Sequence, residues 1–160
     1  PLCNPAMADR QVMGVCDAGL TDKMARVLKR LGSKRAYVVH GHGNMDEVSI
    51  SGRTRISELR AGRVRTYFVE PGAFGIAKRP PVSIKGGGCA ANARIIRSVL
   101  KGVKGAPRDM VLMNASLGLC AAGRARDIKD GMAKAADSID SGRAAQKLEM
   151  LAEMTSGAER

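Results

Sequence analysis

A strand, a helix and a second strand follow one another near the start of the chain, and this order constrains the fold most. Residues 11–15 favour a strand, and Thr21 suits the N-cap of a helix whose apolar residues recur at helical spacing: Met24, Val27, Leu28 and Leu31. Gly32 is a residue type favoured just past helix ends, and a second extended pattern occupies 35–39. Such a βαβ unit predicts two parallel strands joined by a right-handed crossover.

The rest of the pattern adds a hairpin and further helices. Residues 53–60 and 63–69 are predicted strands joined at Ala61-Gly62. Apolar periodicity predicts helices over 89–100, 107–123, 128–139 and 143–154. We therefore predict an α/β fold with a mixed, mainly parallel sheet, one β-hairpin and helices on both faces. Residues 1–154 would form one domain, and residues 155–160 would form a frayed tail.

Composition narrows the classes of function. The 160 residues are 44% hydrophobic, which predicts one globular domain, but only 2% are aromatic, which argues against stacking on nucleic-acid bases as the main activity. The four cysteines are scattered without a Cys-x-x-Cys pair, so they do not form a zinc motif and are typical of reduced thiols in a cytosolic protein. No apolar run approaches the roughly 18 residues of a membrane span, and we predict a cytoplasmic protein.

The net charge of +12 needs an explanation of its own. Lysine and arginine are spread along the whole chain without a dense basic arm. Such a balance attracts nucleic acid, a phosphorylated substrate or an acidic partner, and it also occurs as a solvated face that aids solubility. Charge alone leaves these alternatives open.

The stretch from Tyr37 to Ser49 is the candidate site. Its apolar start favours a buried strand, Gly41 and Gly43 permit a tight loop, and the adjacent carboxylates Asp46 and Glu47 follow. Ligands of open α/β sheets collect beyond the carboxyl ends of strands, and Mg²⁺ is often held by one or two carboxylates plus substrate phosphates. The alternative is a solvated acidic turn.

Two further positions invite a functional or a structural interpretation. Residues 86–88 are three glycines that open directly into a helix, where backbone N–H groups can cradle a phosphate. They match no established phosphate-loop pattern, so close packing against a neighbouring loop is the favoured interpretation. Asn114 lies in the most apolar helix and is predicted to make structural hydrogen bonds rather than to act in catalysis.

Taken in order, the motifs resemble the carboxyl-terminal part of the anthranilate phosphoribosyltransferases. No single motif is specific, but the ordered series covers nearly the whole chain. Its pieces are Pro1-Leu-Cys-Asn-Pro-Ala, Gln11-Val-Met-Gly-Val, Val38-Val-His-Gly, Met45-Asp-Glu-Val-Ser, Thr54 through Glu58-Leu59, Phe74-Gly75, Gly86-Gly87 with Asn92-Ala93, Arg108-Asp109 with Leu112 and Asn114-Ala115, and Ile139-Asp140-Ser141-Gly142.

The resemblance implies an activity and roles for named residues. The family transfers phosphoribose from phosphoribosyl pyrophosphate to anthranilate with release of pyrophosphate, and Mg²⁺ stabilises the charge of the diphosphate. By the matching motifs, Asp46 and Glu47 would hold one Mg²⁺, and Pro1 would lie at the substrate-binding turn beside anthranilate. His40 and Gly41 would shape the loop. A homodimer is implied for a full-length member.

The sequence also departs from the family pattern. The glycine-rich phosphate loop, the Lys-His-Gly-Asn segment and the arginine that recognises anthranilate do not occur in it. We therefore expect the chain to be a fragment that lacks the amino-terminal helical domain and is inactive alone. Two other functions stay open, namely a nucleic-acid-binding relative without transferase activity and a nucleoside phosphorylase-like transferase.

Overall fold

The computed structural model describes residues 8–156, which form one four-stranded sheet with α-helices on both faces. The strands are β1 (Arg10–Gly14), β2 (Arg35–Gly41), β3 (Thr54–Arg60) and β4 (Arg63–Val69). The helices are α1 (Leu20–Arg30), α2 (Cys89–Leu100), α3 (Ala106–Ala121), α4 (Ile128–Asp140) and α5 (Arg143–Ser156), with short 3₁₀ turns at Pro71–Phe74 and Pro81–Ile84. Each predicted helix and strand is present. Helix α5 runs two residues past its predicted end, and no helix within 8–156 is long and apolar enough to cross a membrane.

The sheet is mixed, as predicted, but it is not mainly parallel. Its order is β1-β2-β3-β4, and only β1 and β2 are parallel, whereas β2–β3 and β3–β4 are antiparallel. The prediction of a mainly parallel sheet is therefore wrong for the described residues. The physical reason is the connections, because only α1 is a helical crossover, while the link from β2 to β3 contains no helix and β4 follows a two-residue turn.

The hairpin turn between β3 and β4 lies where it was predicted. Arg60 pairs with Arg63, which leaves Ala61 and Gly62 as the two turn residues. Their φ angles are 48° and 72°, so both adopt the left-handed conformation of a type I′ turn. This turn matches the twist of the flanking strands, although an alanine carries a steric cost in that conformation.

Two hydrophobic cores lie on opposite faces of the sheet because successive residues of a strand point to opposite sides. Tyr37 and Val39 of β2 pack toward α3, in a core that includes Met113 and Leu117. The alternate residues of β2 pack toward α1, in a core whose buried members include Ala36, Val38, Leu59, Ala25 and Leu28. The predicted helices on both faces are confirmed, and β2 is the strand on which the two layers meet.

Helix α3 is the centre of the helical layer. It packs closely on α4, since a Cβ at Gly131 would lie only 2.8 Å from the Ser116 carbonyl oxygen. At the other end of this helix pair, Arg108 donates from Nη1 and Nη2 to the two carboxylate oxygens of Asp140 at 2.6 and 2.9 Å. Helix α3 is thereby fixed against both the sheet and α4, and it is the support on which the candidate site is built.

Candidate metal and substrate site

The acidic pair follows a tight turn at the carboxyl end of β2. The Gly41 N–H donates to the Met45 carbonyl at 2.7 Å, and the Met45 N–H donates back to Gly41 at 3.2 Å. Gly43 and Asn44 make this reversal with φ angles of 79° and 58°, both in the left-handed region. The chain therefore folds back at once and carries the next residue, Asp46, over the edge of the sheet.

Two glycines let the acidic segment lie directly on the strand ends. A Cβ at Gly14, the last residue of β1, would lie 1.7 Å from the Asp46 carbonyl oxygen. A Cβ at Gly41, the last residue of β2, would lie 2.3 Å from the Glu47 carbonyl oxygen. Because β1 and β2 are parallel, their carboxyl ends meet at one edge of the sheet, and the acidic pair lies at this edge.

Asn114 ties the residue after the acidic pair to α3. The Val48 N–H donates to Asn114 Oδ1 at 2.8 Å, and Asn114 Nδ2 lies 3.3 Å from the Val48 carbonyl oxygen and 3.0 Å from that of Met110. The Val48 side chain is itself fully buried. The predicted structural role of Asn114 is confirmed, and this amide is the contact that positions Glu47.

The two histidines of the loop also act as supports. His40 Nδ1 lies 2.9 Å from the Val15 carbonyl oxygen, which can only accept, so Nδ1 carries a proton and donates it. The His42 ring rests on Gly52, where a Cβ would lie 2.8 Å from its Cγ. Both contacts connect the loop to neighbouring backbone, in agreement with the predicted loop-shaping role of His40.

The carboxylates themselves fit a hard cation. Asp46 and Glu47 are exposed, and within residues 8–156 neither side chain forms an ion pair or accepts a hydrogen bond. Their oxygen lone pairs are therefore available to a ligand. The described part of the chain contains no group of three or more metal-ligating side chains. A pair of adjacent carboxylates suits Mg²⁺, which binds through one or two carboxylates while phosphate oxygens and water complete its octahedron.

An apolar cavity of about 320 Å³ adjoins the loop and was not predicted from the sequence. Glu47 is the acidic residue in its lining, and the remaining residues are apolar and come from the loop, α2, α3 and the second 3₁₀ turn, among them Met45, Ile84, Ile95, Val99 and Met110. Such concave apolar space beside a polar group is typical of a ligand site. The periodic isoleucines of α2 indicated only a buried helix face, because periodicity does not reveal a gap in packing.

The glycine run before α2 is held by a side chain of that helix. The Gly87 N–H donates to Asn92 Oδ1 at 2.8 Å, and Asn92 Nδ2 donates back to the Gly87 carbonyl at 2.9 Å. A Cβ at Gly86 would lie 2.7 Å from Asn92 Oδ1. Asn92 belongs to the first turn of α2 and the three glycines are exposed, so these contacts do not bear out the predicted packing against a neighbouring loop.

Basic side chains cluster on the face of the sheet that α1 covers, at the end where β2 leads into the acidic loop. The Cζ atom of Arg53 lies 4.2 Å from the ring centroid of Phe68, and that of Arg55 lies 5.8 Å from it. The Phe68 side chain is half exposed. Arg55 Nε also donates to Thr21 Oγ1 at 3.0 Å. Two guanidinium groups are therefore fixed near the edge where the acidic loop leaves β2.

Pro1, the predicted substrate contact, lies outside the described residues.

Residues 1–145 match the family model described as the glycosyl transferase family, a/b domain. The match extends over most of the chain, and the chain belongs to this family. The fold described above, with a sheet covered on both faces and a ligand-accessible loop at the strand ends, is the α/β domain that the family name specifies.

Within this family, its relatives include anthranilate phosphoribosyltransferases, as the motif series predicted. The protein from Symbiobacterium thermophilum is 51% identical over 155 residues, which are 97% of this chain and 46% of that protein. The protein from Geobacter sulfurreducens is 48% identical over 97% of this chain and 44% of its own length. The chain therefore spans less than half the length of these relatives.

Solved structures of anthranilate phosphoribosyltransferases also resemble this chain. The anthranilate phosphoribosyltransferase from Thermus thermophilus superposes with a TM-score of 0.81 at 37% identity, over 92% of this chain and 43% of that one. The Saccharomyces cerevisiae protein in complex with PRPP and Mg superposes with a TM-score of 0.78 at 30% identity, over 88% of this chain and 41% of that one.

Proposed function

We propose that the protein to which this chain belongs transfers phosphoribose from phosphoribosyl pyrophosphate to anthranilate, with release of pyrophosphate, as a step of tryptophan biosynthesis. The observation that carries this proposal is the identity of about half of all residues to anthranilate phosphoribosyltransferases over 97% of the chain. Because the chain spans under half of those relatives, we assign the complete reaction to the whole protein and a share of the site to this chain.

That share is the metal side of the site. Asp46 and Glu47 would hold Mg²⁺, which when bound offsets the negative charge that builds up on the departing diphosphate. The chain's own contribution is positional. Gly14 and Gly41 let the acidic backbone rest on two strand ends, and Asn114 fixes the next residue to α3, so the backbone that carries the carboxylates is fixed before any ligand arrives.

The surroundings suit the remaining reactants. The guanidinium groups of Arg53 and Arg55 supply positive charge at the same edge of the sheet, which favours the approach of a polyanionic diphosphate. We keep Pro1 as a proposed substrate contact on the strength of the motif alone. We also propose, from the family resemblance, that the whole protein is a cytoplasmic homodimer and that its other half supplies the remaining phosphate and anthranilate contacts.

The test is a pair of isosteric substitutions in the whole protein. Asp46→Asn and Glu47→Gln remove charge but keep shape, and we expect each to raise the Mg²⁺ concentration needed for half-maximal turnover at least about tenfold, an effect of the size seen when metal-site contacts are lost. Consumption of anthranilate is followed by its fluorescence. Glu70→Gln is the matched control, since Glu70 is an exposed acid outside the loop.

Three results would contradict the proposal. Unchanged Mg²⁺ dependence in the double variant would remove the metal role of the acidic pair. Turnover of pyrimidine nucleosides with phosphate, without turnover of anthranilate, would establish the nucleoside phosphorylase-like alternative. Tight binding of nucleic acid with a steep salt dependence, in a protein without either activity, would establish the nucleic-acid-binding alternative that the +12 charge allows.

A further inference from the structure

A second cavity, of about 400 Å³, lies at the other end of the sheet, where β2 begins and β3 ends. The end of α3 and the start of α4 cover it. Its lining contains four cationic and two acidic side chains, namely Arg35, Arg60, Arg126, Lys129, Glu58 and Asp127. We call this cavity the basic cleft. Arg35 stands six residues before Gly41 on β2, which places the cleft about 20 Å from the acidic loop along the strand.

Both acids of the basic cleft already have donors. Glu58 accepts from the Tyr37 hydroxyl at 3.1 Å and from the Tyr67 hydroxyl at 3.2 Å, and it lies 3.8 Å from an Arg35 nitrogen. Burial and the nearby Glu58 raise the pKa of Tyr37 to about 12, so this hydroxyl keeps its proton at neutral pH. Asp127 accepts from the Asp130 N–H at 2.9 Å as the N-cap of α4.

The cations, by contrast, have donors to spare. Arg35 is the exception, because its Nη2 donates to the Tyr37 hydroxyl at 2.8 Å and its Nε is buried and closed to the cavity. Arg60 and Lys129 are exposed and form no ion pair among the described residues, and the largely exposed Arg126 approaches Asp130 only to 3.8 Å. Helix α4, which begins at the cleft, adds the positive end of its dipole. Cationic side chains from the end of β3 and from the start of α4 therefore line one concave space.

We propose that the basic cleft binds the phosphate group of a small metabolite, with Arg60, Arg126 and Lys129 donating to its oxygens. A phosphate dianion presents three acceptor oxygens to donors arriving from different directions, and helix starts and arginine forks are its usual partners. The cavity has room for more than the phosphate itself, so a phosphate monoester suits it. This site is separate from the acidic loop and requires no metal.

Calorimetric titration of the 160-residue chain in EDTA tests the proposal, with inorganic phosphate and ribose 5-phosphate as the two probes. We expect saturable binding at one site. Tighter binding of ribose 5-phosphate identifies a monoester site, and equal affinity identifies a site for the free anion. The double variant R126A/K129A should weaken binding at least about tenfold, because both side chains lie on the rim and give two charge-assisted hydrogen bonds.

The control variants separate this site from diffuse charge and from the metal site. R94A/R97A removes the same charge from the exposed side of α2 and should leave affinity within about twofold. Asp46→Asn with Glu47→Gln should leave it unchanged. Absence of saturation, equal weakening by both double-alanine variants, or loss of binding in the acidic-loop variant would each overturn the proposal, whether or not anthranilate is a substrate.

Discussion

Replacing Asn114 by alanine is the most informative single perturbation of the site's support. The substitution removes the acceptor for the Val48 N–H at 2.8 Å and the donor to the Val48 carbonyl at 3.3 Å. A net hydrogen bond contributes about 0.5–1.5 kcal/mol, and a buried group left without a partner costs about 1–3 kcal/mol. Since Val48 is fully buried, we expect the free energy of unfolding to fall by about 2–3 kcal/mol.

Asn92 provides a matched control for this measurement. It makes the same pair of amide-to-backbone hydrogen bonds, to Gly87, but in an exposed position where water can replace them. Asn92→Ala should therefore cost less than about 1 kcal/mol. Urea unfolding followed by circular dichroism gives both values, and for Asn114→Ala the melting temperature should fall by roughly 5–10 °C. Equal losses in the two variants, or a loss below about 0.5 kcal/mol for Asn114→Ala, would refute the assignment of Asn114 as the tie between α3 and the loop.

Two further predictions concern the turn and the helix pair. Ala61→Asn should raise the free energy of unfolding by about 0.5–1 kcal/mol in urea titrations, because asparagine tolerates the left-handed conformation better than alanine; a lowered stability would contradict the assigned turn type. Hydrogen bonds from Arg108 hold the pKa of Asp140 below its usual range, so the stability gained from the pair is present above the carboxyl's ordinary pKa and is lost as pH falls through the lowered value. Asp140→Asn should accordingly destabilise the protein at neutral pH, and its deficit should shrink in strongly acidic solution, where an unchanged deficit would argue against the ionic origin.

The sequence predicts those features that depend on neighbouring residues. The position of the acidic pair follows from a strand, two glycines and two carboxylates within one short stretch, and the hairpin follows from Ala61-Gly62 between two extended patterns. The direction of β3 was missed, although the connection from β2 to β3 lacks a crossover helix. Side chains alternate between the two faces in parallel and antiparallel strands alike, so their period did not give the direction, whereas the connection did.

Sites formed by residues that are far apart in the sequence could not be predicted from the sequence pattern. Arg35, Glu58 and Arg126 meet at the basic cleft only because β2 pairs with β3 and α4 begins above them. Each residue alone has the appearance of an ordinary charge in a chain that is 26% charged. Likewise, the apolar cavity beside Glu47 depends on how α2 packs against α3. The sequence pattern does not specify that packing geometry.

The contacts at Gly14 and Gly41 have a consequence for how this family diverges. Any side chain at position 14 would collide with the main chain at Asp46, whatever residue type stands there, because the clash is with a backbone oxygen. Glycine at 14 and 41 is therefore a requirement of architecture, whereas the acids at 46 and 47 would, under the proposed function, be a requirement of chemistry. In a relative that no longer needs the reaction, the residues at 46 and 47 would vary while glycine at 14 and 41 was retained. Loss of the acids alone would therefore indicate loss of the reaction, and loss of the glycines would indicate loss of the fold.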